Sequence, residues 1–356
     1  MTHVFIAPHP DDVALSCGGL IASLRDLGQA ITIVTVYSGG PRADTEWTDY
    51  QRTALGFGNK TMWPLGEAFR RTNIGSDVDP VPVGGGRAPW LADPERITLT
   101  QERANTQARQ FWQRAAWTRA ANITNQETPE RPLADSVAGQ GSLEVVDFGA
   151  ADATEIRAIE DERYAWFMEV SLIQLGLPDA VYRGYQNDDQ LLGAIRDDDD
   201  PPYDLLRQEI QRLEPQMVYF PLAVGNHVDH QLCREVGLSM VAEDRRWIMP
   251  TTDFGGRMTF YEDFPYAWWH DFSGPTDLPG GVDLPAGLGL EARYSDISDM
   301  LERKAAGIRV YASQIVQLFN SDQDMLDDLF GYHARVALAG AVGTGAAERY
   351  WSAVRP

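Results

Sequence analysis

The stretch Ala7-Pro8-His9-Pro10-Asp11-Asp12 closes a short apolar run, His3 to Ala7, and opens a pattern in which Leu20, Ile21, Leu24 and Leu27 recur at helical spacing until Gly28 offers a stop. A β-branched run, Ile31 to Tyr37, follows. Strand, helix and strand in so short a span predict the opening of a parallel α/β sheet joined by a right-handed crossover. No Gly-x-Gly-x-x-Gly accompanies it, so a bound dinucleotide would lack its phosphate cradle. Far downstream a second apolar strand, Met217 to Pro221, runs into Asn226-His227-Val228-Asp229-His230, with a helix expected from Val228 to about Ala242. Ligands of open α/β sheets bind outside the carboxyl ends of the strands. If the two strands are parallel, both clusters therefore stand on one edge of one sheet.

Composition narrows the class of function. At 356 residues and 44% hydrophobic content the chain can fill a sizeable core, and it is read as a single α/β catalytic domain over residues 1–356. A formal net charge of −22 argues against nucleic acid or an anionic membrane as a partner, because those surfaces are bound by cations. Lys60 and Lys304 are the only lysines, a bias that suits either a salty cytoplasm or a preference for Arg codons. No apolar run is long enough to span a membrane, and the N-terminus enters a strand directly, so a cytoplasmic protein is expected. Cys17 and Cys233 are too few for a disulfide framework and read as small buried packing residues.

Between the clusters the pattern is uneven. Residues 38–157 are rich in Gly, Pro, Trp and charge, with a helix expected from Thr100 to about Ala121, and they read as an insertion after the second strand. Its five tryptophans (Trp47, Trp63, Trp90, Trp112 and Trp117) suit a lid, a substrate wall or an oligomer contact. A helix is expected from about Ile156 to Leu175, closed by Gly176, then an extended piece at Ala180-Val181-Tyr182. The run Asp197 to Asp200 before Pro201-Pro202 reads as a solvated loop, and a helix from Tyr203 to Leu213 precedes the second strand. Met258 to Tyr261 is strand-like, Gly274 to Gly289 is loop-like, and Ile297 to Leu318 reads as one long amphipathic helix over a face of the sheet. The end, Glu348-Arg349-Tyr350-Trp351, is expected to dock on the body.

Two imidazoles and a carboxylate, with a position open to water, form a recurrent catalytic zinc arrangement. Within each cluster the residues stand three apart at a helix start, so His9 with Asp12, and His227 with His230, can project together. Zinc would bring the pKa of bound water to roughly 7 and polarise a carbonyl. Asp11, beside the ligand candidate Asp12, fits the proton acceptor. The histidine not spent on the metal would serve the oxyanion or the leaving amine, with Asp229 accepting its other ring N–H. Spacing alone does not say which histidine of the second pair binds metal. Asp11 or Asp12 taken singly would more often be a helix cap, and His3, His270 and His333 read as structural.

These motifs resemble the PIG-L/LmbE-like zinc-dependent de-N-acetylases. The resemblance rests on Pro8-His9-Pro10-Asp11-Asp12 before a helix with Gly18-Gly19, and on His227-Val228-Asp229-His230 after a strand. Looser similarity lies in Tyr261-Glu262-Asp263-Phe264-Pro265-Tyr266 and Glu348-Arg349-Tyr350-Trp351. It implies a Rossmann-like, mostly parallel sheet with helices on both faces and no dinucleotide. It places the metal ligands on His9, Asp12 and His230, the general base and then acid on Asp11, and oxyanion or leaving-group assistance on His227 with Asp229 behind it. Arg163, ahead of Leu175-Gly176, is the nearest equivalent of a substrate-binding arginine, and Gly225 stands where some members carry Tyr. The implied reaction is removal of an N-acetyl group from an N-acetylglucosamine-type conjugate, with zinc-bound hydroxide attacking the amide. Iron or cobalt would suit the same donors. Two alternatives stay open: an amidase of a non-sugar or larger N-acyl conjugate, and a non-catalytic sugar-binding or assembly module with a vestigial site.

Overall fold

The computed structural model describes residues 1–41, 48–55, 150–248, 250–251, 255–274, 284, 286–319, 322–342 and 345–354. Most of the expected insertion, including its five tryptophans and the helix from Thr100, lies outside them. Seven strands form the main sheet: β1 Thr2–Ala7, β2 Ala30–Thr35, β3 Ser171–Gln174, β4 Met217–Pro221, β5 Met258–Tyr261, β6 Gly289–Asp296 and β7 Ala347–Val354. Their order is β3-β2-β1-β4-β5-β7-β6, with the first five parallel and β7 and β6 added antiparallel. The order runs outward in both directions from β1 and β4, so the topological switch point lies between them.

The chain is apolar on both faces of these strands because helices cover both. Val4, Ile6, Val218 and Phe220 belong to one core with Leu232 and Val236 of helix α5. The alternating Phe5, Ala7, Met217 and Tyr219 belong to a second core with Leu20, Ile21 and Leu24 of α1. The helices used below are α1 Asp12–Asp26, α2 Asp49–Ala54, α3 Ala150–Met168, α4 Tyr203–Leu213, α5 Val228–Glu243, α6 Leu301–Ile308, α7 Ala312–Leu318 and α8 Asp322–Ala339. Among the described residues no helix is long and apolar enough to cross a membrane.

Several local expectations change. The helix expected up to Leu175 ends at Met168; Glu169 turns left-handed at φ 57°, and Ser171–Gln174 pairs with β2 instead. Ala180-Val181-Tyr182 is a 3-10 turn capped by Asp179, whose carboxylate accepts the Val181 N–H. The long helix after Ile297 is broken into a 3-10 turn, α6 and α7, and α6 packs on α1. Gly289 begins strand β6, and the Glu348–Trp351 tail lies inside β7 between β5 and β6. Glu348 is buried there, accepting the Gly19 and Leu20 N–H groups of α1 and pairing with Lys304 at 2.7 Å. In the acidic run Asp198 pairs with exposed Arg196, whereas Asp199 turns inward to Arg183.

Candidate active site

Both clusters sit at the carboxyl edge of the sheet, one on each side of the switch point. Parallel pairing of β1 with β4, His3 opposite Met217 and Phe5 opposite Tyr219, delivers the two strand ends side by side. Asp12 Oδ2 accepts the His9 N–H at 2.7 Å and stands 3.3 Å from both His9 Nδ1 and His230 Nε2. The far nitrogen of each imidazole meets another carboxylate: His9 Nε2 lies 2.8 Å from Asp229 Oδ2, and His230 Nδ1 lies 2.6 Å from Asp263 Oδ1. His9, His227 and His230 also offer ring nitrogens within 4.8 Å of one another, as a possible metal cluster, and so do His9, Asp179 and Asp229 with one atom each.

Asp11 is the helix-cap residue of α1, at φ 98° and ψ −36°, yet its side chain makes no capping hydrogen bond. That conformation is sparsely populated for a residue with a Cβ. The carboxylate lines a cavity of about 290 Å³ instead, along with His9, Asp12, His227 and His230. His227 caps α5, its Nδ1 accepting the Asp229 N–H at 3.2 Å. In the neutral ring the proton therefore resides on Nε2.

The electrostatics separate these groups. Burial and the adjacent Asp12 charge push the Asp11 carboxyl well above the usual range, opposed by Arg157, His9 and His230. Burial acts the same way on Asp12, but His230 and His9 outweigh it and hold Asp12 well below that range. Burial disfavours the His9 imidazolium, yet Asp179, Asp12 and Asp229 lift it to about 9. His230 is raised by Asp12 and Asp263 against the same burial. His227, buried and close to the His9 charge, falls to about 3 and stays neutral.

Two expectations shift on these distances. The Asp229 carboxylate backs His9, not His227, and its other contacts are the Ala180 N–H and the Arg183 guanidinium. Arg183 is itself held by Asp199 and lies 4.5 Å over the Tyr37 ring. Arg163 is not among the residues lining the cavity; Arg157 is, paired with Asp179 at 3.1 Å. Six residues along α3 is about 9 Å of helix axis, which carries Arg163 away from the sheet edge. Asp263, two residues past the end of β5 on a third strand end of that edge, backs His230, a role that the spacing of the two clusters does not signal. At Gly225, φ 86°, an added Cβ would meet the Tyr266 ring at 2.5 Å, so Tyr266 occupies that corner of the cavity. Ala54 and Leu55, from the described part of the insertion, also line it.

Residues 4–69 match the PIG-L family, GlcNAc-PI de-N-acetylase. The structure is similar to that of the teicoplanin-pathway deacetylase in complex with bog, at a TM-score of 0.58 and 21% identity, the match covering 100% of this chain and 99% of that one. The fold is that of the PIG-L/LmbE-like deacetylases. The zinc-inhibited form of teicoplanin deacetylase Orf2 gives a TM-score of 0.57 at 20% identity, with 100% and 99% of the two chains covered. At such identities the likeness is one of fold. A 2'-N-acetylparomamine deacetylase of Streptomyces fradiae is 31% identical over 171 residues, which is 47% of this chain and 56% of that protein. The PIG-L match thus begins in β1 and includes both carboxylates of the first cluster.

Proposed function

We propose that the protein is a metal-dependent hydrolase that removes the N-acetyl group from an amino-sugar conjugate of the N-acetylglucosamine type. The observation that carries this reading is the convergence of His9, Asp12 and His230 at 3.3 Å contacts on one carboxylate oxygen, with the Asp11 carboxylate, which makes no capping hydrogen bond, on the same cavity. The deacetylase relatives support the class of reaction.

The residues fit a divalent ion of the zinc type. The donor set is two imidazoles and a carboxylate, and each imidazole is backed by an acidic group, which orients the ring and strengthens it as a ligand. His227 is kept off this set because its Nδ1 is committed to the Asp229 N–H, and Asp179 is engaged by Arg157. A bound zinc would polarise the amide carbonyl and make water acidic enough to attack near neutral pH.

Asp11 takes the proton of the attacking water on a carboxylate oxygen and returns it to the leaving amine, a role open to it because its side chain lines the cavity and makes no capping hydrogen bond. His227, neutral, donates from Nε2 to the oxygen on which negative charge develops. Arg157 replaces Arg163 as the proposed substrate contact, since its buried guanidinium borders the cavity, near enough to Asp11 for their charges to interact. Asp229 and Asp263 act through the histidines they hold.

Metal analysis of the purified protein, with an acetate-release screen over N-acetyl amino sugars and plain N-acyl amines, tests the reading. About one zinc per chain and acetate from the sugars is the expected result. A protein that takes up no divalent metal and releases no acetate would sink it, and release from plain amines alone would replace the sugar with the broader amidase reading.

A further inference from the structure

Trp268 and Trp269 are neighbours that end differently. Both indole N–H groups donate to one carboxylate, that of Asp328 on α8: Trp268 to Oδ1 at 2.9 Å and Trp269 to Oδ2 at 3.1 Å. Trp268 is covered by the Arg335 guanidinium, 4.7 Å from the ring centroid. Trp269 lines the catalytic cavity and remains 45% exposed. Its plane is nevertheless held, with the Tyr266 ring edge-on at 5.8 Å and 84° and the Phe319 ring at 6.0 Å and 64°. Tyr266 in turn meets His230 edge-on at 6.1 Å. A large apolar ring fixed in orientation but left open to water is a binding surface prepared in advance, because the cost of ordering it is met before the ligand arrives.

We propose that Trp269 is a stacking platform for the apolar face of a pyranose ring, positioned so that the N-acyl group of that ring or its neighbour reaches His230 and Asp11. Tyr266 touches both rings, so the indole borders the same cavity wall as the metal-site histidine. The rest of the lining is mixed, as a sugar requires. Arg157, Asp188 and Gln314 lie around the same cavity together with Leu15, Leu55 and Leu192, a combination that suits a pyranose, which presents an apolar face and a rim of hydroxyls. The nature of the ring rests on the deacetylase reading above; the existence of the platform does not. Asp328 acts as a positioning residue.

The test uses the full zinc-loaded chain with two substrates, methyl N-acetylglucosaminide and the ringless N-butylacetamide. Trp269→Ala is expected to raise KM for the glycoside about three- to tenfold, the scale of one aromatic contact, with kcat within about twofold and zinc content unchanged. KM for N-butylacetamide should not move. Trp269→Phe should restore most of the loss, and Asp328→Ala should give a smaller rise. Saturation-transfer NMR with methyl glucosaminide gives a readout free of turnover: protons on one face of the sugar should receive saturation in the wild type and lose it in Trp269→Ala. An unchanged KM for the glycoside, or an equal rise for both substrates, overturns the platform. If the wild type releases acetate from neither substrate, the deacetylase reading fails and the NMR arm alone decides. A sugar signal that depends on Trp269 then supports the platform, and its absence overturns it.

Discussion

The two strand-to-helix junctions of the site, β1 into α1 and β4 into α5, occupy equivalent places on neighbouring parallel strands and use their cap residues in opposite ways. At the first, Asp11 takes a strained backbone, φ 98°, and its carboxylate bonds to nothing among the described residues. At the second, His227 keeps an ordinary extended backbone, φ −60° and ψ 128°, and does cap its helix, spending Nδ1 on the Asp229 N–H. One junction leaves a proton free to come and go; the other pins a proton on Nε2. A cap position can therefore supply either a group that titrates or a donor that does not, depending on whether its side chain is spent on the helix.

The comparison breaks most visibly if the two junctions are altered separately. Asp11→Asn should keep its metal and lose about 10²- to 10⁴-fold in kcat, the range of a general acid–base group, whereas His230→Ala should lose both metal and activity. Acetate release and metal content measured on the same preparations decide it. Next, His227→Ala should cost about 10²- to 10³-fold in kcat while leaving the acidic limb of the pH–rate profile in place, because the proposed mechanism assigns that limb to Asp11. A limb that moved with His227 would merge the two roles.

Smaller effects sharpen the pattern. Asp229→Asn and Asp263→Asn should each weaken zinc affinity about 10- to 100-fold, as removal of a carboxylate behind a ligating histidine does. Competition with a chelator would measure this, and an effect confined to turnover would contradict the positions assigned to them. Asp179, Asp12 and Asp229 raise His9 to about 9, and Asp12 and Asp263 raise His230, so the metal-free site favours the protonated imidazoles. Metal must displace those protons, so uptake should release them and affinity should fall as pH drops below about 9, by about tenfold per unit for each proton displaced. Calorimetry in buffers of different ionisation enthalpy reads the number. The smallest effect concerns strain: Asp11→Gly should abolish turnover yet stabilise the fold by about 1 kcal/mol in denaturant unfolding, since glycine adopts φ 98° freely.

Much of the site was legible because its signals are local. Pro8-His9-Pro10-Asp11-Asp12 and His227-Val228-Asp229-His230 each follow an apolar run that could only be a buried strand, and the parallel register of β1 and β4 then brings them together. What was misread depended on contacts between distant segments. Arg157 and Arg163 both lie on α3, and only its pose against the sheet edge decides which reaches the cavity. Asp229 stands two residues from His227 but faces His9, 220 residues away in sequence, because parallel pairing of β1 and β4 sets the two loops side by side. Glu348 and Trp351 looked like a docking tail, and pairing with β5 and β6 makes them part of the sheet.

By itself the sequence determined the α/β class, the two clusters and their chemical types, because hydrophobic periodicity and short-range spacing are set within a few residues. Tertiary structure alone decided the division of labour: which carboxylate stays unbonded, which backs each imidazole, and which indole is left bare at the cavity. Those outcomes depend on low-dielectric burial and on partners supplied by remote strands, and no local pattern encodes them.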